Sequence, residues 1–159
     1  MKPQQGFIKC NVDAAVFKDR GQIGFGCVLR DENGSFIAAR NGLLVAAGDP
    51  VLAEALSCRE ALSWIKELGL LNVCMESDCQ LFINAVKGEF PDSSYFGLVV
   101  CDCKNLVKDL ENCLLSFSRR SANQVAHALA RAAGFMPDVG CWMSHPPPFI
   151  LDVLAYDLI

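Results

Sequence analysis

Paired metal-ligand spacing is missing from this sequence. Its nine cysteines form no Cys-x-x-Cys, and it has only two histidines, His127 and His145. That counts against a structural zinc site. Positive charge is scarce too: 14 Lys and Arg stand against 18 Asp and Glu, a net charge of −4. A broad basic coat for nucleic acid and a polybasic membrane anchor are thereby excluded, while a local basic strip is not. No apolar run reaches the about 18 residues of a membrane span, and no apolar stretch follows the opening MKPQQGF as a signal peptide requires. Seven prolines and twelve glycines in 159 residues exclude collagen-like and low-complexity classes.

Apolar material is abundant, at 52% of residues, and 20% are charged, which suits one folded domain. The cysteines are odd in number and lie mostly in apolar segments. A secreted disulfide framework would be even and loop-rich, so these are read as reduced thiols of a nuclear or cytoplasmic protein.

Residues 7–17 alternate, with Ile8, Cys10, Val12, Ala14 and Val16 on one face and Lys9, Asn11 and Asp13 on the other, as in a strand whose second face meets solvent. Strands are expected over 22–30 and 35–45, joined by the turn Asp31-Glu32-Asn33-Gly34. Gly24 and Gly26 mark a close backbone approach or a bulge. Asp49 and Pro50 open a helix over 50–68. A strand at 71–76, a helix from Ser77-Asp78 to Val86, a loop over 87–94, a helix at 95–110, a strand at 112–118 and a helix at 122–133 follow. The order β-β-β-α-β-α-α-β-α implies an α/β fold: one mixed, five-stranded sheet flanked by helices, over residues 6–135. Residues 136–159 form a C-terminal tail that caps the sheet or engages a partner.

Three carboxylates sit where carboxylates are unusual. Asp13 lies near the end of the first strand. Glu54 lies on a small, apolar helix stripe with Ser57, Cys58, Ala61 and Ile65. Asp78 follows the fourth strand, at the end where ligands gather in such sheets. Glu76, two residues earlier, is a lesser candidate. Each has an ordinary reading: a solvated strand face, a pairing with lysine, a helix cap. Together they can converge, and clustered carboxylates call for neutralising cations, for which magnesium suits oxygen ligands.

The segments KCNVDAAV (9–16), AEALSCREAL (53–62), ESDCQ (76–80) and RRSANQVAHALAR (119–131) together resemble the type 1 ribonuclease H family. Within it they are most similar to plant ribonuclease-H-like domains related to the reverse transcriptases of non-LTR retroelements. The resemblance implies a ribonuclease-H-like fold, an RNA–DNA hybrid as substrate, and hydrolysis of its RNA strand by two magnesium or manganese ions. It implies that Asp13 bridges the ions and that Glu54 and Asp78 complete their shell. Gln80 matches a position that touches the minor groove, where 2′-hydroxyls mark RNA. Asn123 matches the family's asparagine four residues before its fourth ligand, and Arg119 and Arg120 are candidates for phosphate.

The sequence departs from the family at three places. The fourth ligand, an Asp in the family, is His127 here, and imidazole is a poorer partner for magnesium. The basic extension between the middle helices is absent, since 87–94 reads KGEFPDSS. The histidine-bearing loop before the last helix is replaced by SRRS at 118–121. Two readings stay open: a magnesium-dependent endonuclease, which a larger retroelement polyprotein can carry, and a catalytically weakened module for nucleic-acid binding or protein interaction. A DEDD-type exonuclease needs Asp-x-Glu in the first strand, where this chain has Asp13-Ala14-Ala15.

Overall fold

The structure, a computed structural model, describes residues 2–46, 48–89 and 92–157. Alternating side chains build β1 (Ile8–Phe17), which pairs antiparallel with β2 (Gln22–Arg30), itself antiparallel to β3 (Phe36–Val45). Two short strands, β4 (Val73–Ser77) and β5 (Cys113–Phe117), add in parallel on the far side of β1.

Five strands were expected and six are present among the described residues, in the order β5-β4-β1-β2-β3-β6. The sixth, β6 (Gly140–Met143), comes from the C-terminal tail and pairs antiparallel with Ala38–Asn41 of β3. It covers a row of backbone groups that would otherwise form an open edge. Four residues following a Pro-containing turn carry too little alternation to announce a strand.

Helices α1 (Pro50–Glu67), α2 (Gln80–Lys87) and α3 (Tyr95–Asp109) pack with one sheet face around Cys10, Val12, Leu56, Leu62, Met75 and Phe82. Asp49 caps α1 as expected: its carboxylate accepts the Val51 N–H at 3.0 Å. The loop expected over 87–94 includes Phe90 and Pro91, which lie outside the described residues.

Helix α4 (Gln124–Ala132) and the tail helix α5 (Leu151–Tyr156) cover the other face, where Val28, Ala39, Val125, Leu129 and Ile150 are buried together. This corrects the reading of β1. Lys9, Asn11 and Asp13 are not solvated; they are 1%, 0% and 4% exposed. Their polarity is met inside the protein. Lys9 pairs with Glu76 at 3.2 Å, and Arg30, opposite Lys9 on β2, pairs with Asp157 of the tail at 3.0 Å.

Close approach of α4 requires glycine. A Cβ on Gly26 would lie 2.5 Å from both the Ala126 carbonyl and the Ala130 nitrogen. Gly26 is the direct cross-strand partner of Asp13, so the helix backbone closes on the sheet beside that residue.

All nine cysteines are free, and Cys10, Cys27, Cys58 and Cys103 are buried. Burial pushes the Cys27 and Cys103 thiols up to about 12, which keeps them protonated and inert. Among the described residues no helix is long and apolar enough to cross a membrane.

Candidate active site

Strand β4 ends at Ser77, which pairs with Val12. From Asp13 onward one edge of β1 is therefore released, and side chains from three elements meet there. Asp13 comes from β1, Glu54 from the first turns of α1, and Asp78 from the β4–α2 junction. One carboxylate oxygen from each lies within 4.8 Å of the others. Asp78 does not cap α2, because the Ser77 hydroxyl accepts the Cys79 N–H at 3.1 Å and the helix begins at Gln80. Its carboxylate is left to face a cleft of about 170 Å³ lined by Pro50, Val51, Glu54, Asp78, Cys79 and Arg120.

The electrostatics are those of a site short of positive charge. Burial, then the charge of Asp13 and a hydrogen bond to it, and then Asp78, push the Glu54 carboxyl up to about 10. Burial and Asp13 likewise raise Asp78, against the lowering effect of Arg120, whose Nε lies 3.4 Å from Asp78 Oδ2. Arg120 is 82% exposed, so it is a weak, solvent-screened counter-charge. Glu54 Oε2 is buried and has no hydrogen-bond partner. An unpartnered buried oxygen beside two further carboxylates is a donor set that fits a hard divalent cation.

His127, on α4, meets this cluster from the opposite face: its Nδ1 lies 2.8 Å from Asp13 Oδ2. It is not one of the three residues whose ligand atoms converge, though its charge also acts on Asp78. Its side chain is 45% exposed.

A family profile described as reverse transcriptase-like matches residues 11–133, a span that holds Asp13, Glu54, Asp78 and His127. The chain belongs to this reverse transcriptase-like family. A search of the curated proteins returns no match. Among solved structures, the family member resembles RNase H1 from the halophilic archaeon Halobacterium salinarum. Identity there is 21% over 82% of this chain and 98% of that one, with a TM-score of 0.74. LC11-RNase H1, solved in complex with an RNA/DNA hybrid, is 18% identical over 79% of this chain and 95% of that one, with a TM-score of 0.70. The reverse transcriptase-like chain also resembles a foamy viral protease-reverse transcriptase, at 10% identity over 81% of this chain and 93% of that one and a TM-score of 0.63. At these identities the likeness establishes an RNase H-like fold.

The remaining candidates of this family member divide into two groups. Gln80, Arg119 and Arg120 are exposed, and Arg120 borders the cleft. Gln80 donates to Asn84 at 2.9 Å. Asn123 is 1% exposed and gives its amide to the Val12 carbonyl at 2.8 Å, so it ties α4 to β1 and presents nothing to the surface. Glu76, the lesser candidate, is held by Lys9 and Asn11. Missing from the sequence reading were Arg30 and Asp157. Arg30 shares a sheet face with Lys9 and Asn11, and that shared parity was the available signal.

The raised Glu54 carboxyl has a consequence for stability. Folded Glu54 keeps its proton up to about 10, whereas the unfolded chain releases it near 4.5. Over that window the folded state binds more protons, so the metal-free protein loses stability as pH rises. Thermal melts in chelator from pH 5 to 9 should show a falling Tm, and Glu54→Gln should flatten the slope. Equal slopes for parent and variant would contradict the assignment.

Proposed function

We propose that this chain is a divalent-metal-dependent endonuclease that hydrolyses the RNA strand of RNA–DNA hybrids. The observation that carries this reading is the convergence of Asp13, Glu54 and Asp78 at the freed edge of β1, with a buried, unpartnered Glu54 oxygen. Asp13, whose charge acts on both other carboxyls, would hold the divalent ions together with Glu54 and Asp78. Bound magnesium or manganese ions would supply an activated water and stabilise the leaving oxygen. The protein's share is to fix three acidic ligands on rigid elements and to give up the Glu54 proton when the cations arrive.

Arg119 and Arg120, both exposed, would hold phosphate, and Gln80, exposed at the start of α2, would meet the minor groove. The hybrid bound by LC11-RNase H1 and the hybrid bound by the foamy viral protease-reverse transcriptase support this substrate class. The protease-reverse transcriptase, of whose chain the match covers 20%, supports a place for this chain within a larger retroelement polyprotein.

The test is cleavage of an end-labelled RNA–DNA hybrid beside a DNA duplex of the same sequence. The expected result is magnesium-dependent cutting of the RNA strand only, with binding that weakens steeply as salt rises. Equal cleavage of the DNA duplex would point to a different nuclease.

A second reading, a binding or interaction module with weakened catalysis, is favoured by one observation: the α4 residue that contacts Asp13 is a histidine, not a carboxylate. His127→Asp separates the two. A fourth carboxylate adds negative charge and a hard oxygen, so activity at limiting magnesium should rise, on the order of tenfold. Superimposable magnesium titrations for parent and variant would place His127 outside the metal shell.

A further inference from the structure

We infer that Asp157, in the C-terminal tail, is a positioning residue for the Asp13–His127 pair. It lies beyond the span that matches the reverse transcriptase-like family. It is 6% exposed, and its Oδ2 makes two contacts at once. One runs to α4: the Val125 N–H donates to it at 3.4 Å. The other runs to β2: Arg30 Nη2 donates to it at 3.0 Å. Arg30 Nη1 adds a bond to the Asp157 carbonyl at 3.4 Å. The second oxygen, Oδ1, is buried without a partner, so Oδ2 carries both contacts.

The first branch completes α4. Free N–H groups and a partial positive charge at a helix start call for an acceptor, best an anionic one. The local cap position is Asn123, which makes no cap bond: its Nδ2 donates to the Val12 carbonyl and its Oδ1 accepts from no group. Asp157 supplies the acceptor from 32 residues further along the chain. Two residues into the helix from Val125, His127 reaches Asp13 at 2.8 Å.

The second branch reaches the other partner. Arg30 Nη2 also donates to Asn11 Oδ1 at 3.2 Å. Asn11 in turn donates to Glu76 at 3.4 Å, and Glu76 pairs with Lys9. Asn11 is two residues before Asp13 on the same strand face. One buried carboxylate thus ties both backbone segments that carry the pair, in surroundings where polar contacts are strong. Ile150, fully buried beside Val125 and Leu129, seats the tail on α4.

This inference rests on the proposed nuclease function only in its kinetic arm. Asp157→Asn is compared with the parent and with Tyr156→Ala, a change at a neighbour that is 83% exposed. Circular dichroism establishes folding, long-range ¹H–¹⁵N spectra of the His127 ring report its contact with Asp13, and hybrid cleavage gives kcat and KM. In folded Asp157→Asn the His127 ring resonances should move and kcat should fall roughly tenfold, with KM within about twofold of the parent. Tyr156→Ala should move neither. Should Asp157→Asn not fold, the pair Arg30→Met with Asp157→Leu leaves no buried charge unpaired and should show the same displacement.

Unmoved His127 resonances, or an unmoved kcat, in a folded variant would overturn the proposal. Loss of folding in both variants would also overturn it, since the role would then be structural alone. A parent that cuts no hybrid would remove the nuclease reading and leave the spectra to decide on positioning.

Discussion

Asp13→Asn should lower hybrid cleavage by roughly a thousandfold or more while the protein stays folded. The residue is 4% exposed, so the substitution must fit a closed space, and asparagine has nearly the shape of aspartate. It can still accept a hydrogen bond from His127, which lies 2.8 Å away. What disappears is the negative charge that faces both Glu54 and Asp78. Divalent ions would then be held by two carboxylates in place of three. In the metal-free protein the same change is favourable, because like charges held together in a buried cluster repel. The variant should therefore melt above the parent in chelator and lose the stabilisation that magnesium gives the parent. Cleavage at the parental rate by purified Asp13→Asn would refute the metal-ligand assignment.

The second large effect is expected at a residue with no side chain. Gly26→Ala should destabilise the protein by about 3 kcal/mol, because a methyl group at that position overlaps α4 backbone. Its Cβ would meet the Ala126 carbonyl and the Ala130 nitrogen at 2.5 Å and the Leu129 Cβ at 2.7 Å. None of these is the end of a flexible side chain, so the helix itself must move outward. For a chain of this length the Tm should drop by roughly 10 °C. Activity should fall as well, since α4 carries His127 and Gly26 lies directly across from Asp13. A Gly26→Ala variant that melts within a degree or so of the parent would show that α4 has room to spare.

Local order in the sequence accounts for much of the fold. The two-residue period of 7–17 foretold β1, and Asp49-Pro50 foretold the start of α1, whose cap is formed as the sequence implied. Glu54 stood out because a carboxylate on a stripe of small residues needs a reason, and the structure places it in the carboxylate cluster. The burial of Lys9, Asn11 and Asp13 was not legible from β1 itself. A polar strand face looks the same whether water or a tail covers it, and what covers it here is α4 together with a segment more than a hundred residues away. Strand β6 and the Arg30–Asp157 pair share that origin, since both depend on long-range contacts made by the tail. The meeting of His127 with Asp13 joins two elements 114 residues apart, and only the family resemblance pointed to it.

Crystals of the protein soaked in manganese with a bound RNA–DNA hybrid, measured for anomalous scattering, put the metal assignment to its most direct test. Two peaks among the carboxylates of Asp13, Glu54 and Asp78 are the expected result. An absence of anomalous density there at saturating manganese would contradict it.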